Sequence, residues 1–301
     1  MLAVETDSLY KSFGSVQAVE DVTLRVEQGE VFGFLGPNGA GKSTVINVLL
    51  DFVRRSSGSV RVLGHDPEAE ARAVRRRVGI LPEATGFYSQ DTARDHLRFA
   101  VDLAGTDDDI DRLLERVGIA SDADRRVREY SKGMRKRLGL AIALVGEPEL
   151  LVLDEPLGGL DPAGAQILRD VVRAESERGT AVFFSSHIMS QVEAVCDRVG
   201  IMNDGRLIES SSVDEIRSVG DTELSFTLAT SAEEYATEVD SVGGVTQVVA
   251  DGDVLSVSCT DEEPKVEVIS KLVQSSDTVR DVQARSRSLE EVFRQMTESE
   301  R

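Results

Sequence analysis

The chain has 301 residues, 41% of them apolar, and carries 54 acidic against 34 basic side chains for a formal net charge of −20. That is enough apolar material for a core and for two domains, while no stretch approaches eighteen consecutive apolar residues, so no membrane span is expected. A charge this negative repels nucleic acid, and the two cysteines, Cys196 and Cys259, have neither a disulfide pattern nor metal-ligand spacing.

The acids are spread through periodic apolar segments, so the chain does not read as a disordered acidic tail. Only six lysines occur (Lys11, Lys42, Lys132, Lys136, Lys265 and Lys271), leaving 28 of the 34 bases as arginine. A lysine-poor, acid-rich surface is similar to that of proteins from salt-adapted cytoplasm, where salt screens self-repulsion. The N-terminal "MLAVETDSLYKSFG" has no basic segment followed by an apolar one, so no signal peptide is expected. A cytoplasmic location follows from these features.

In chain order, "GEVFGFLG" (29–36) reads as a buried strand and "KSTVINVLLDF" (42–52) as a helix. Residues 91–146 read as mainly helical, through "TARDHLRFAVDLAG", "DIDRLLERVG" and "YSKGMRKRLGLA". "ELLVLD" (149–154) and "TAVFFSS" (180–186) are further buried strands. Between them "PAGAQILRDVVRAESERG" (162–179) has Pro at its start and Gly at its end, as a helix does. Strands alternating with helices predict an α/β domain with a largely parallel sheet over residues 1–211.

After Asp204-Gly205 the pattern changes. Residues 212–221 read as a linker with a short helix. Residues 222–301 then give strand, helix, two strands joined at Asp251-Gly252, helix and strand, a small α+β domain of ferredoxin-like order. A last amphipathic helix, "SLEEVFRQMTE" (288–298), follows.

Two motifs carry chemistry. "GPNGAGKST" (36–44) fits G-x-x-x-x-G-K-[ST] between a buried strand and a helix. Gly36, Gly39 and Gly41 let the backbone of the loop, with Pro37, Asn38 and Ala40, turn N–H groups toward phosphates. Lys42 reaches the β- and γ-phosphates, the Ser43 hydroxyl ligates Mg²⁺, and Thr44 opens the helix whose field favours anions. "LLVLDEP" (150–156) brings Asp154 toward Mg²⁺ and Glu155 to a water for in-line attack. ATP and Mg²⁺ are the expected ligands.

"YSKGM" (130–134) before "RKRLGLA", then "LVLDEP", "GGLDP" (158–162) and "SSH" (185–187), resemble the ATP-binding subunits of ABC transporters. The resemblance runs from residue 1 to about 210. It implies a P-loop ATPase domain with a helical subdomain at about 91–146. It also implies a head-to-tail dimer in which each L-S-G-G-Q-like signature closes on the ATP of the other subunit. Ser131 and Gly133 are the signature residues that would touch phosphate; Lys132 and Met134 depart from the consensus. Arg135, Lys136 and Arg137 read as solvated helix surface. The resemblance further assigns Asp161 to the dimer seam and His187 to the γ-phosphate and the attacking water. Glu83 stands where most members have a metal-binding Gln. Phe13 takes the adenine-stacking position, with Tyr10 as the alternative. His65 and His96 match nothing and read as surface.

The ending at 288–298 is similar to that of ATPases of ABC-2 type exporters, and "YSKGMRKRLGLA" with Glu83 is also similar to the NosF-like group. The expected partners are a second ATPase subunit, identical or a close paralogue, and a transmembrane permease that would hold the chain at the inner face of the membrane. No nucleic-acid partner is expected. A soluble ABC ATPase acting on nucleic acid or ribosomes is the rival. Against it stand the net charge and the separation of 88 positions from Ser43 to Ser131, too short for a long coiled-coil insertion. A purely regulatory role with degenerate chemistry is disfavoured by intact Lys42, Asp154, Glu155 and His187.

Overall fold

Two long strands open the chain, β1 (Leu2–Phe13) and β2 (Val16–Glu27), paired antiparallel. From Val22 onward β2 alternates buried and exposed residues, as expected of a strand with one face on the core and one in water. The structure is a computed structural model that describes residues 1–218, 222–259, 262–274 and 279–285.

The strand β3 (Val31–Leu35) is buried along its whole length and leads into α1 (Lys42–Leu49). The chain then returns to the first sheet as β4 (Ser57–Val62), which pairs antiparallel with β1 and gives the order β2-β1-β4. This antiparallel sheet is not anticipated by the reading of a largely parallel one. The adenine-stacking candidates Tyr10 and Phe13 both lie on β1, and the turn comes at Gly14.

A short α2 (Ala71–Arg75) precedes β5 (Val78–Leu81). Three helices follow: α3 (Ala93–Ala104), α4 (Ile110–Arg116) and α5 (Lys132–Ala143). Then come β6 (Leu150–Asp154), α6 (Pro162–Glu177), β7 (Ala181–Ser186), α7 (Met189–Glu193), β8 (Arg198–Asn203) and β9 (Arg206–Ser212). The second sheet runs β5-β6-β7-β3-β8-β9, with β5/β6, β6/β7, β7/β3 and β3/β8 all parallel. Its central strands are apolar on both faces because helices cover them. Phe32, Phe34 and Phe183, all fully buried, pack with tilted rings and centroids 5.1–6.5 Å apart. One core joins both sheets around α1.

Capping sets the helix starts. Thr92 and Asp95 form a reciprocal capping box on α3, Ser131 caps α5, and Asp161 caps α6 with Pro162 at its first position. Gly79 decides how α5 sits: a Cβ there would fall 1.9 Å from the Ala143 carbonyl oxygen, so glycine lets the end of α5 lie directly on β5. The α/β character and the helical segment between β5 and β6 agree with the sequence reading.

Contacts divide the chain into Met1–Ser211 and Ser212–Arg301. The second unit begins with α8 (Val213–Ser218) inside the expected linker. It continues with β10 (Thr222–Leu228), α9 (Glu233–Asp240), β11 (Val245–Asp251), β12 (Val254–Cys259), α10 (Glu262–Gln274) and β13 (Val279–Arg285). Its antiparallel sheet has the order β11-β12-β10-β13, the ferredoxin-like arrangement, around a core that includes Phe226, Leu255, Val257 and Leu272. The helix expected at 288–298 lies outside the described residues. Cys196 and Cys259 are both buried, and burial pushes the Cys196 thiol up.

Candidate nucleotide site

The loop between β3 and α1 frames a cavity of about 950 Å³. Pro37, Asn38, Gly39, Gly41, Lys42, Ser43 and Thr44 form one side. Gly39 and Gly41 hold φ at +87° and +100°, in the left-handed region that turns the loop around its own N–H groups. Lys42 is buried, and its Nζ donates to the carbonyls of Gly36 at 2.6 Å and Pro37 at 3.2 Å. Gly36 and Ala40 stay behind the loop: Ala40 is buried, and a Cβ at Gly36 would lie 2.4 Å from the Met202 carbonyl oxygen.

The end of β6 supplies the carboxylates. Ser43 Oγ donates to Asp154 Oδ2 at 3.4 Å, and Ser185 Oγ donates to Asp154 Oδ1 at 2.5 Å. Ser185 Oγ also accepts from the Glu155 N–H at 3.1 Å, so one hydroxyl of β7 fixes both acids. A hydroxyl and a carboxylate oxygen 3.4 Å apart are the hard donors that a Mg²⁺ ion takes, and Ser43 and Asp154 therefore fit that metal. Glu155 sits at φ +47°, a strained position for a residue with a Cβ, and such strain concentrates at functional sites. Its side chain is 12% exposed, with Oε1 3.9 Å from Lys42 Nζ and 2.9 Å from His187 Nδ1. Neither approach has hydrogen-bond geometry, so Oε1 is buried without a donor.

The other predicted residues are distributed unevenly. Glu83 and His187 line the cavity with Glu155. Asp154 lies behind this lining and is reached through Ser43. Ser131 and Asp161 act as helix caps, accepting from Met134 N at 3.1 Å and Gly164 N at 2.9 Å, and neither lines the cavity. Gly133 is also outside the lining and faces Leu160. Phe13 is 49% exposed outside the lining, with Lys11 Nζ 4.6 Å above its ring; Ala18 on β2 is the nearby residue that does reach the cavity.

Two surface readings are corrected. Lys136 is not solvated surface but 4% exposed, and its Nζ donates to the Glu83 carbonyl at 3.0 Å. Arg135 and Arg137 are half-buried and also donate to backbone carbonyls. The α5 basic turn is covered because α5 lies against the segment after β5, where a Cβ on Gly139 would meet Leu81 and Thr85. His96 likewise makes specific contacts: its Nδ1 meets the Thr92 carbonyl at 2.8 Å, its Nε2 accepts from Tyr88 N at 3.1 Å, and Phe87 packs edge-on against its ring.

Sequence reasoning missed Ser185 as the bridge between Asp154 and Glu155, and missed Lys132, Arg135 and Lys136 as cavity-lining groups. The helical spacing of the three cations was the available signal. Burial pulls the Lys42 ammonium below its ordinary range, opposed by Glu155, Asp154 and Glu83. Burial lowers Lys136 in the same way, opposed first by Asp154 and Glu83, with Lys132 adding repulsion. Both cations are thus held in a low-dielectric site where an added phosphate would interact more strongly than in water.

Residues 19–158 match the family model described as ABC transporter. The chain is 38% identical over 229 residues to the bacitracin transport ATP-binding protein BcrA of Bacillus licheniformis, covering 75% of each. It is 35% identical over 307 residues to the daunorubicin resistance ATP-binding protein DrrA3 of Streptomyces coeruleorubidus, covering 99% of this chain and 97% of that one. Among solved structures, the ATP-binding subunit of an ABC transporter superposes with a TM-score of 0.66 at 28% identity, over 71% of this chain and 92% of the other.

Proposed function

The chain belongs to the ATP-binding subunits of ABC transporters and is as such an ATPase serving a membrane transporter, and on that premise we propose that the cavity at β3, β6 and β7 is its ATP site and that the transporter is an exporter of ABC-2 type. The observation that carries the site reading is the convergence of the phosphate loop, Glu155 and His187 on one cavity. The names of relatives, bacitracin transport and daunorubicin resistance, support export.

In this reading the triphosphate lies along the loop 36–44 and accepts from its N–H groups, while the Lys42 ammonium moves from the Gly36 and Pro37 carbonyls to the β- and γ-phosphates. Ser43 and Asp154, with Glu83 on the cavity lining, would hold Mg²⁺, which would neutralise charge on the phosphates. Glu155 accepts a proton from, or orients, the attacking water at its donor-free Oε1, and His187 on the neighbouring turn faces the same point. Phe13 stacks on the adenine, for about 1–3 kcal/mol.

Ser131, Gly133 and Asp161 stand apart from the chain's own cavity, which supports a dimer in which they meet the ATP of a second subunit, identical or a close paralogue. ATP binds the closed dimer more tightly than the open one, hydrolysis reverses that preference, and the difference moves a separate permease at the inner face of the membrane. No helix among the described residues is long and apolar enough to cross a membrane, in keeping with a partner that does. The net charge of −20 disfavours the nucleic-acid alternative. A Glu155→Gln variant tests the reading: hydrolysis falls to background and ATP traps a dimer on a sizing column. A variant that stays monomeric with ATP, or hydrolyses at the normal rate, removes Glu155 from this role.

A further inference from the structure

From Glu83 to Phe87 the chain has left β5 and forms no helix or strand, and Glu83, Ala84 and Thr85 line the cavity. Among the described residues, the backbone of these five positions has one hydrogen bond. The Glu83 carbonyl accepts it from Lys136 Nζ at 3.0 Å. The next fixed point along the chain is Tyr88, whose N–H donates to His96 Nε2 at 3.1 Å. Lys136 itself is 4% exposed, although lysine is almost never buried so fully without a partner. Burying an ammonium is costly, and an apolar side chain would fill the space at less cost. What the lysine adds is a directed donor, and its one hydrogen bond to a described residue goes to Glu83.

The bond ends a continuous seam between α5 and β5. A Cβ on Gly79 would fall 1.9 Å from the Ala143 carbonyl oxygen, and a Cβ on Gly139 would fall 2.7 Å from Leu81 and 3.2 Å from Thr85. Lys136 then reaches Glu83. Positions 143, 139 and 136 of the helix thus meet 79, 81 and 83 of the strand and its continuation. Helical spacings of four and three keep the first set on one face, and spacings of two keep the second set on one side of an extended chain. Contact this close leaves α5 little room to shift against β5, and Lys136 carries that fixed position to the residue on the cavity wall.

We propose that Lys136 is a positioning residue: its ammonium holds the main chain at Glu83 so that the Glu83 carboxylate meets the divalent cation gathered by Ser43 and Asp154. Lys136 acts through Glu83 and is no cation ligand itself. The proposal rests on the reading of Glu83 as a cation ligand in this cavity. Charge alone predicts the opposite sign, because removing a positive group from beside a cation site strengthens cation binding. A weaker site after its removal therefore reports lost position.

The test is a titration of Mn²⁺, read by EPR of the free ion, into the full-length chain saturated with a non-hydrolysable ATP analogue. Mn²⁺ takes the same oxygen donors as Mg²⁺. Lys136→Met, which fills the space without a donor, weakens Mn²⁺ roughly three- to ten-fold and weakens metal-free binding of the analogue less. Lys136→Arg, which keeps charge and donors, recovers most of the loss. In a Glu83→Ala chain, itself weakened for Mn²⁺, adding Lys136→Met changes the affinity by less than about two-fold, since nothing is left to position. Unchanged or tighter Mn²⁺ binding in Lys136→Met overturns the proposal. So does an equal loss of Mn²⁺ and metal-free analogue binding, or a full further loss in the Glu83→Ala chain. Should Lys136→Met not fold, Lys136→Gln, uncharged and one bond shorter, takes its place with the same deciding outcomes. Two single variants separate the readings. If Glu83→Ala leaves Mn²⁺ affinity unchanged, the proposal falls and the nucleotide site stands. If Lys42→Ala binds the analogue normally, the cavity is not the nucleotide site and both readings fall.

Discussion

His187 Nδ1 stands 2.9 Å from Glu155 Oε1, yet that oxygen receives no hydrogen bond. The two residues directly follow different strands, β6 and β7, and line the same cavity as the phosphate loop. The glutamate is almost enclosed and the histidine 44% exposed, so the histidine is the movable partner. A buried carboxylate oxygen without a donor costs roughly 1–3 kcal/mol or more, and a bound water or substrate hydroxyl would remove that cost.

His187→Ala is expected to keep ATP affinity within a few-fold and to lower kcat by about a hundredfold or more, the range for a group that assists proton transfer. Steady-state kinetics with separate binding measurements checks the split. A fall in affinity with kcat intact would instead make His187 a binding group.

Ser185→Ala removes a donor to Asp154 and an acceptor for the Glu155 N–H in one change. Stability should fall by about 1–3 kcal/mol, the cost of leaving such groups unpaired. Mg²⁺-dependent turnover should fall further than Mg²⁺-free nucleotide affinity. Chemical denaturation and metal titration measure the two effects. Ser185→Thr, which keeps the hydroxyl, should recover part of both.

The acidic surface predicts a salt response. Raising KCl from about 0.1 M to about 2 M should raise the melting temperature, because the Debye length shrinks from about 10 Å to a few ångström and self-repulsion fades. A flat or falling series would count against salt adaptation.

Acid should act in the opposite sense. Arg55 donates to both oxygens of Asp66, at 3.0 and 2.7 Å, and holds that carboxyl below its usual range; Arg77 does the same for Glu149. A carboxylate whose folded-state pKa is depressed contributes stability that is present above its ordinary pKa and lost as pH falls through the depressed value. Melting temperature should therefore fall as pH drops through and below about 4. Asp66→Asn should flatten that acid limb, by no more than about 1 kcal/mol because the pair is partly exposed. An acid limb unchanged in the variant would show that the pair contributes nothing.

Much of this protein is decided locally and is therefore legible in the sequence. In the proposed reading the loop 36–44 acts through consecutive backbone N–H groups, so that chemistry is written in consecutive residues. Asp154 and Glu155 are found because a buried parallel strand is a short apolar run and its carboxyl end is where a site forms. The second unit follows from alternating strand and helix patterns with a turn at Asp251-Gly252. Composition fixes the excess of negative charge.

Other features depend on residues far apart in the chain. No local pattern shows that the Ser185 hydroxyl ties Asp154 to the backbone of Glu155, because 30 positions separate the latter pair. The basic turn of α5 reads as surface until Gly79 and Gly139 bring that helix down onto β5 and the segment after it. Only then is Lys136 covered. Spacing in sequence tells which face of a helix a residue occupies. What that face meets is set by the closeness of packing between elements, and tertiary structure alone decides that.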